Sequence, residues 1–95
     1  MESRSWAVPP TTKLKWRRWR DELVVFNPAS GDTHYLNAVA GAVLAQFERG
    51  PATLDDILRA VEARADEPLD SETATEIREL VERLDSVGLI ETVRS

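Results

Sequence analysis

Two spacings of apolar residues divide the chain. From Thr12, "TKLKWRRWR" sets Leu14 and Trp16 on one side of an extended backbone and Lys13, Lys15 and Arg17 on the other, the alternation of a half-buried strand. Trp19 interrupts that alternation and predicts a bulge or bend near Arg17-Arg18. The polar pair Asp21-Glu22 suits a turn, after which "LVVFN" has the β-branched and aromatic content of a second strand. "NPASGD" is a loop: Pro28 presets a turn dihedral, and Gly31 accepts a positive φ. "THYL" then forms a short third strand and completes an antiparallel meander.

At Asn37 the spacing changes to 3.6. Asn37 caps a helix whose stripe is Val39, Ala40, Val43, Leu44 and Phe47, and Gly50-Pro51 ends it. Thr53 caps a second helix, with Asp55 and Asp56 at its positive end and Leu54, Ile57, Leu58 and Val61 facing inward, ending near Arg64 or Ala65. A third opens at Asp70 or Ser71 and runs to Gly88 with Ile77, Leu80, Val81, Leu84 and Val87 as its stripe. "LIETV" follows as a short terminal strand. The fold class expected is α+β, a three-stranded antiparallel sheet followed by three helices, winged-helix-like, in which the helices cover the apolar face of the sheet. Residues 1–11, with Pro9-Pro10, are expected to be a flexible N-terminal arm from which Trp6 can dock, and residues 12–95 the domain.

Composition narrows the function classes. Ninety-five residues suit one domain. With no cysteine and one histidine, disulfide frameworks and thiolate metal sites are excluded, and neither a metal nor a cofactor is expected. No apolar run has the length of a signal peptide or a membrane span, so a cytoplasmic chain with no membrane partner is expected. The net charge of −5 is unevenly spread: in residues 1–20, Arg4, Lys13, Lys15, Arg17, Arg18 and Arg20 oppose only Glu2, giving +5 and leaving −10 for the remainder. An acidic body disfavours a phosphate-binding face, while the basic end can steer an acidic partner.

Candidate chemistry is sparse. His34 lies beside Tyr35 in a strand, with Ser30 and Thr33 near it only in sequence, which does not make a nucleophile–base pair. The pairs Asp21-Glu22, Asp55-Asp56 and Asp66-Glu67 are adjacent acids that diverge on a helix and chelate poorly. The glycines are isolated, with no phosphate loop. No catalytic residue is assigned, and the chain is read as a non-enzyme. Trp16 and Trp19 within "KLKWRRWR" have the residue types of a single-strand nucleic-acid binder, but Leu14 and Trp16 alternate as core positions do. A helix-turn-helix reading would send a helix bearing Glu72, Glu76, Glu79 and Glu82 into a major groove, against its charge.

The segment "HYLNAVAGAVLAQFERGPATLDDIL", followed by an acidic helix ending "LDSVGLIE", resembles the PqqD-like family of precursor-peptide recognition elements, or peptide chaperones, and within it the branch encoded beside a kinase related to HPr kinase. The resemblance spans Thr12 to Val93 and is carried by Leu36-Asn37, Ala40, Leu44, Gly50, Thr53, Ile57, Leu84, Gly88 and Leu89; Gly41 departs from it, standing where the family more often has Ala. It implies that a leader peptide adds as a strand to the third strand and sends apolar side chains into a groove beside the third helix. Carried onto this chain, the peptide-binding residues are Thr33, His34, Tyr35 and Leu36 with Ile77, Leu80, Val81 and Leu84, and Arg78 or Arg83 for an acidic residue of the peptide. For the four aliphatics, ordinary core packing is the competing explanation. The expected partners are a precursor peptide and a modifying enzyme or HPr-kinase-like protein from the same locus, and an unoccupied edge also permits a homodimer. Two other functions compete with this one, a winged-helix nucleic-acid binder and a scaffold subunit of the kinase.

Overall fold

The alternation between Lys15 and Leu36 becomes a regular meander. In the computed structural model, which describes residues 4–93, strands β2 (Lys15–Trp19), β3 (Glu22–Asn27) and β4 (Asp32–Leu36) form an antiparallel sheet in the order β2-β3-β4. Their register is unbroken from Lys15 opposite Phe26 to Trp19 opposite Glu22, so the bulge expected near Arg17-Arg18 is absent. Trp19 simply shares the outer face with Lys15 and Arg17 and is 60% exposed. The turn is Arg20-Asp21, one residue earlier than expected, with Arg20 in the left-handed region at φ 57°.

Strand β1 (Ser5–Ala7) overturns the expectation of an arm with little regular structure up to residue 11. It pairs with β5 (Ala52–Thr53) on one side and β6 (Glu91–Val93) on the other, in a second small sheet. The cause is Trp6, only 7% exposed, whose ring meets Phe47 edge-on at 6.4 Å and whose Nε1–H donates to Asp85 Oδ2 at 3.3 Å. A Trp buried with its N–H satisfied is a strong anchor for a three-residue strand. The part of the expected arm formed by residues 1–3 lies outside the described residues.

Helices α1 (Ala38–Arg49), α2 (Leu54–Ala65) and α3 (Ser71–Ser86) start where capping residues satisfy their first amides. Asn37 accepts from Ala40 N–H at 2.8 Å, Thr53 and Asp56 form a reciprocal capping box, and Asp70 accepts from Thr73 N–H at 2.7 Å. At the far end of α3, Gly88 at φ 82° closes a Schellman turn: Leu89 N–H donates to Leu84 C=O and Gly88 N–H to Asp85 C=O, both at 3.0 Å. That turn aims Leu89 and Ile90 into the core and the chain into β6.

The core is α1's face of Val43, Leu44 and Phe47 packed with Val25, Ile57, Ile77, Val81, Leu84, Leu89 and Ile90. Val39 and Val87, expected on helical stripes, are exposed instead. Val39 lies about 100° around the helix from Ala40 and so stands at the margin of the buried face. Gly41 has its own explanation: a β-carbon there would occupy the place of the Leu23 Cδ1 methyl, so this glycine lets β3 approach α1.

Two outcomes are expected. Gly41→Ala should gain less than the roughly 1 kcal/mol of helix propensity while the Leu23 methyl has to turn aside, and gain it in full in a Leu23→Ala background; a chemical-denaturation cycle over the four proteins reads the coupling. Hydrogen bonds from Thr53 to the Asp56 carboxylate and from Thr73 to that of Asp70 lower both carboxyls below their ordinary 3.8. A lowered folded value means that their contribution is complete above the ordinary value and is lost as pH falls through the folded one. Thermal unfolding of Asp70→Asn, which caps without titrating, should therefore show a shallower loss of stability on acidification than the wild type.

Candidate functional site

The two edges of the meander are not equivalent. β2 carries Lys15, Arg17 and Arg18 among its five residues, and like charges along an edge oppose pairing with another strand. β4, reading Asp-Thr-His-Tyr-Leu, has one acid at its start and no Lys or Arg. Among the described residues β4 pairs only with β3, leaving a row of backbone donors and acceptors free along its other side.

Register fixes the faces of β4. His34 and Leu36 stand opposite Val25 and Leu23, on the side facing the helices, and both are half-buried. Thr33 and Tyr35 stand opposite Phe26 and Val24 on the outer face, where Tyr35 is 69% exposed. The ring atom Nε2 of His34 is buried and has no hydrogen-bond partner among the described residues.

At the end of β4 the chain passes from Leu36 directly into Asn37, which lines a cavity of about 350 Å³ between the start of α1 and the outer side of α3. Its apolar lining is Val39, Ala40, Ile77 and Leu80; Thr73, Glu76, Glu79 and Arg83 supply the polar part. The helical spacing 73, 76, 77, 80, 83 puts these α3 residues on one face, and the Asp70 cap fixes where that face begins. A free strand edge and a cavity with an apolar lining thus meet at one residue.

The residues anticipated from sequence divide accordingly. Thr33, His34, Tyr35 and Leu36 form the free edge, and Ile77 and Leu80 line the cavity it reaches. Leu80 is the half-buried member of α3's stripe, while Val81 and Leu84 are buried in the core, outside the cavity lining. Arg78 is exposed and also outside it, whereas Arg83 is part of it. Asn37, Val39, Ala40, Thr73, Glu76 and Glu79 were not anticipated as site residues. Val39 carried a signal, at the margin of its helical stripe, but the pairing of α1's first turn with α3 is tertiary information.

A larger hollow of about 460 Å³ lies between β2, β3 and α1, floored by Gly41, Ala42 and Ala45. Its rim mixes Arg18 and Arg64 with Asp21 and Glu48, and Glu48 already accepts from Trp16 Nε1–H at 3.1 Å. It adjoins the guarded edge, so it lacks the free backbone that distinguishes the β4 side. Among the described residues no cluster of His, Cys, Asp or Glu is placed to hold a metal ion, and no helix is long and apolar enough to cross a membrane.

Comparison with known proteins gives a family and a fold. The family model for coenzyme PQQ synthesis protein D matches residues 22–90, which takes in β3, β4 and all three helices. No curated protein matches the chain. Among solved structures it is similar to TbiB1 in complex with the TbiA(beta) leader peptide, with a TM-score of 0.67 at 20% identity, over 94% of this chain and 99% of that one.

Because Nε2 of His34 is buried without a partner, His34→Phe should raise stability by about 1 kcal/mol in chemical denaturation, since an apolar ring of similar shape carries no desolvation cost.

Proposed function

The chain belongs to the PqqD family, and from that premise we propose that it is a non-catalytic peptide chaperone, binding the leader of a ribosomally made precursor and presenting it to a modifying enzyme. The observation that carries this reading is the unguarded edge of β4 running into the cavity between α1 and α3. A peptide added along Thr33 to Leu36 gains main-chain hydrogen bonds at no demand on its sequence, and every second side chain points toward α3. An aliphatic residue there meets Val39, Ala40, Ile77 and Leu80, with Val81 and Leu84 as the packed layer beneath. The similar TbiB1 is described in complex with a leader peptide, which supports the same use of this fold here.

The recipient enzyme follows from the resemblance of the sequence to the branch encoded beside an HPr-kinase-like protein: that protein, or another modifying enzyme of the same locus, takes the bound precursor in the cytoplasm. Binding and chemistry are then divided between two proteins. This chain supplies orientation and local concentration, and the enzyme supplies the reaction.

The test is an amide-shift titration with short peptides encoded near the gene. Shifts are expected on Thr33 to Leu36 and on Ile77 and Leu80, and Leu80→Arg should weaken binding by more than about tenfold, or about 1.4 kcal/mol, while its spectrum stays folded. Saturating peptide that moves none of these amides, or a folded Leu80→Arg that binds equally well, would remove the groove.

A further inference from the structure

Resting on the strand-addition reading above, we infer that the cavity selects by charge as well as by shape: it takes peptides in which a lysine or arginine adjoins the aliphatic anchor. The apolar wall of Val39, Ile77 and Leu80 is bordered on the α3 side by Glu76 and Glu79, both exposed. On a helix, an acid is compensated by a cation three or four positions away. Glu79 has Arg83 at that spacing. Glu76 has none: its neighbours at those distances are Glu72, Thr73, Glu79 and Leu80. The carboxylate of Glu76 therefore stands at the cavity with no helical counter-charge.

The surroundings are acidic on balance, with Arg83, a turn beyond Glu79, as the one cation of the cavity lining. α3 carries Glu72, Glu76, Glu79, Glu82 and Asp85 against Arg78 and Arg83, and Arg78 is not part of the cavity. The strongest cationic cluster, Lys15, Arg17 and Arg18, lies on β2, the opposite edge of the meander from β4. A peptide seated along β4 is thus on the negative side of the molecule, and complementary charge both steers its approach and disfavours wrong partners. The ligand class this chemistry recognises is an extended peptide pairing an aliphatic side chain, in the cavity, with an adjacent cation on Glu76.

The experiment is a selection of displayed short random peptides on the wild type, Glu76→Lys and Leu80→Arg, followed by affinity measurement of the best wild-type peptide and its Lys→Glu counterpart at low and high salt. Wild-type peptides should be enriched in an aliphatic residue beside Lys or Arg, and Glu76→Lys should exchange that preference for Asp or Glu. Leu80→Arg should lose the enriched set. The Lys→Glu peptide should bind the wild type about tenfold more weakly at low salt, bind Glu76→Lys better than the wild type, and approach the parent peptide's affinity as salt screens the pair. Peptides that are lost with Leu80→Arg yet show no cation preference, or a preference unchanged by Glu76→Lys, would overturn the charge inference and leave the groove standing. Enrichment that survives Leu80→Arg would overturn the groove itself, and the charge inference with it.

Discussion

Helix α1 has to be buried on several sides at once, and the rest of the molecule is arranged by how that is achieved. Val43, Leu44 and Phe47 are almost wholly enclosed, and each such side chain contributes roughly 1.5–3 kcal/mol by leaving water. The meander closes on α1 through Leu23 against Gly41, and the small sheet closes on it through Trp6 against Phe47, with Val8 N–H donating to Phe47 C=O at 3.3 Å. Once both sheets are held to α1, its first turn can present only one outer side. Val39 lies there, opposite α3, and the cavity follows from that placement.

The two edges left by a three-stranded meander pose one physical problem with two solutions. An open edge invites unwanted pairing, and β2 answers with cations and an exposed Trp19. β4 has no such guard, and its own inner-face residues are the half-buried His34 and Leu36. The positive charge that guards one edge is therefore segregated from the negative charge of α3 beside the other. A chain of net charge −5 becomes electrically polar across the sheet, with the unguarded edge at its acidic side.

Much of this was legible in the sequence because it is local. Asn37, Thr53 and Asp70 announce helix starts through side-chain chemistry that acts over three residues, and the 3.6 spacing of Ile77, Leu80, Val81 and Leu84 follows from burial of one helical face. Strand β1 was not legible: three residues show no period, and Pro9-Pro10 after them suggested an arm, whereas Trp6 pairs with Ala52 and Thr92, far along the chain. β5 and β6 are as short, so the second sheet has no sequence signature of its own. In the candidate site the edge residues and the α3 stripe were readable, but the stripe did not say which members line a cavity. Burial separates Leu80 from Val81 and Leu84, and only the meeting of α1 with α3 brings in Val39 and Glu76.

The same division explains why so small a domain needs no special residue chemistry to bind. The wall formed by α3 is fixed at both ends, by the Asp70 cap and by the Schellman turn at Gly88, whose Leu89 and Ile90 are sunk in the core. The opposing wall is fixed by α1's own burial. For the proposed peptide, a groove held in this way keeps the ordering cost of binding small. In the proposed strand addition the edge of β4 contributes hydrogen-bonding groups that every residue possesses, while His34 and Leu36 are held by their packing on the inner face. Under the proposed binding mode specificity rests on the few side chains at the cavity, and of these Glu76 is the carboxylate with no cation three or four positions away on its helix.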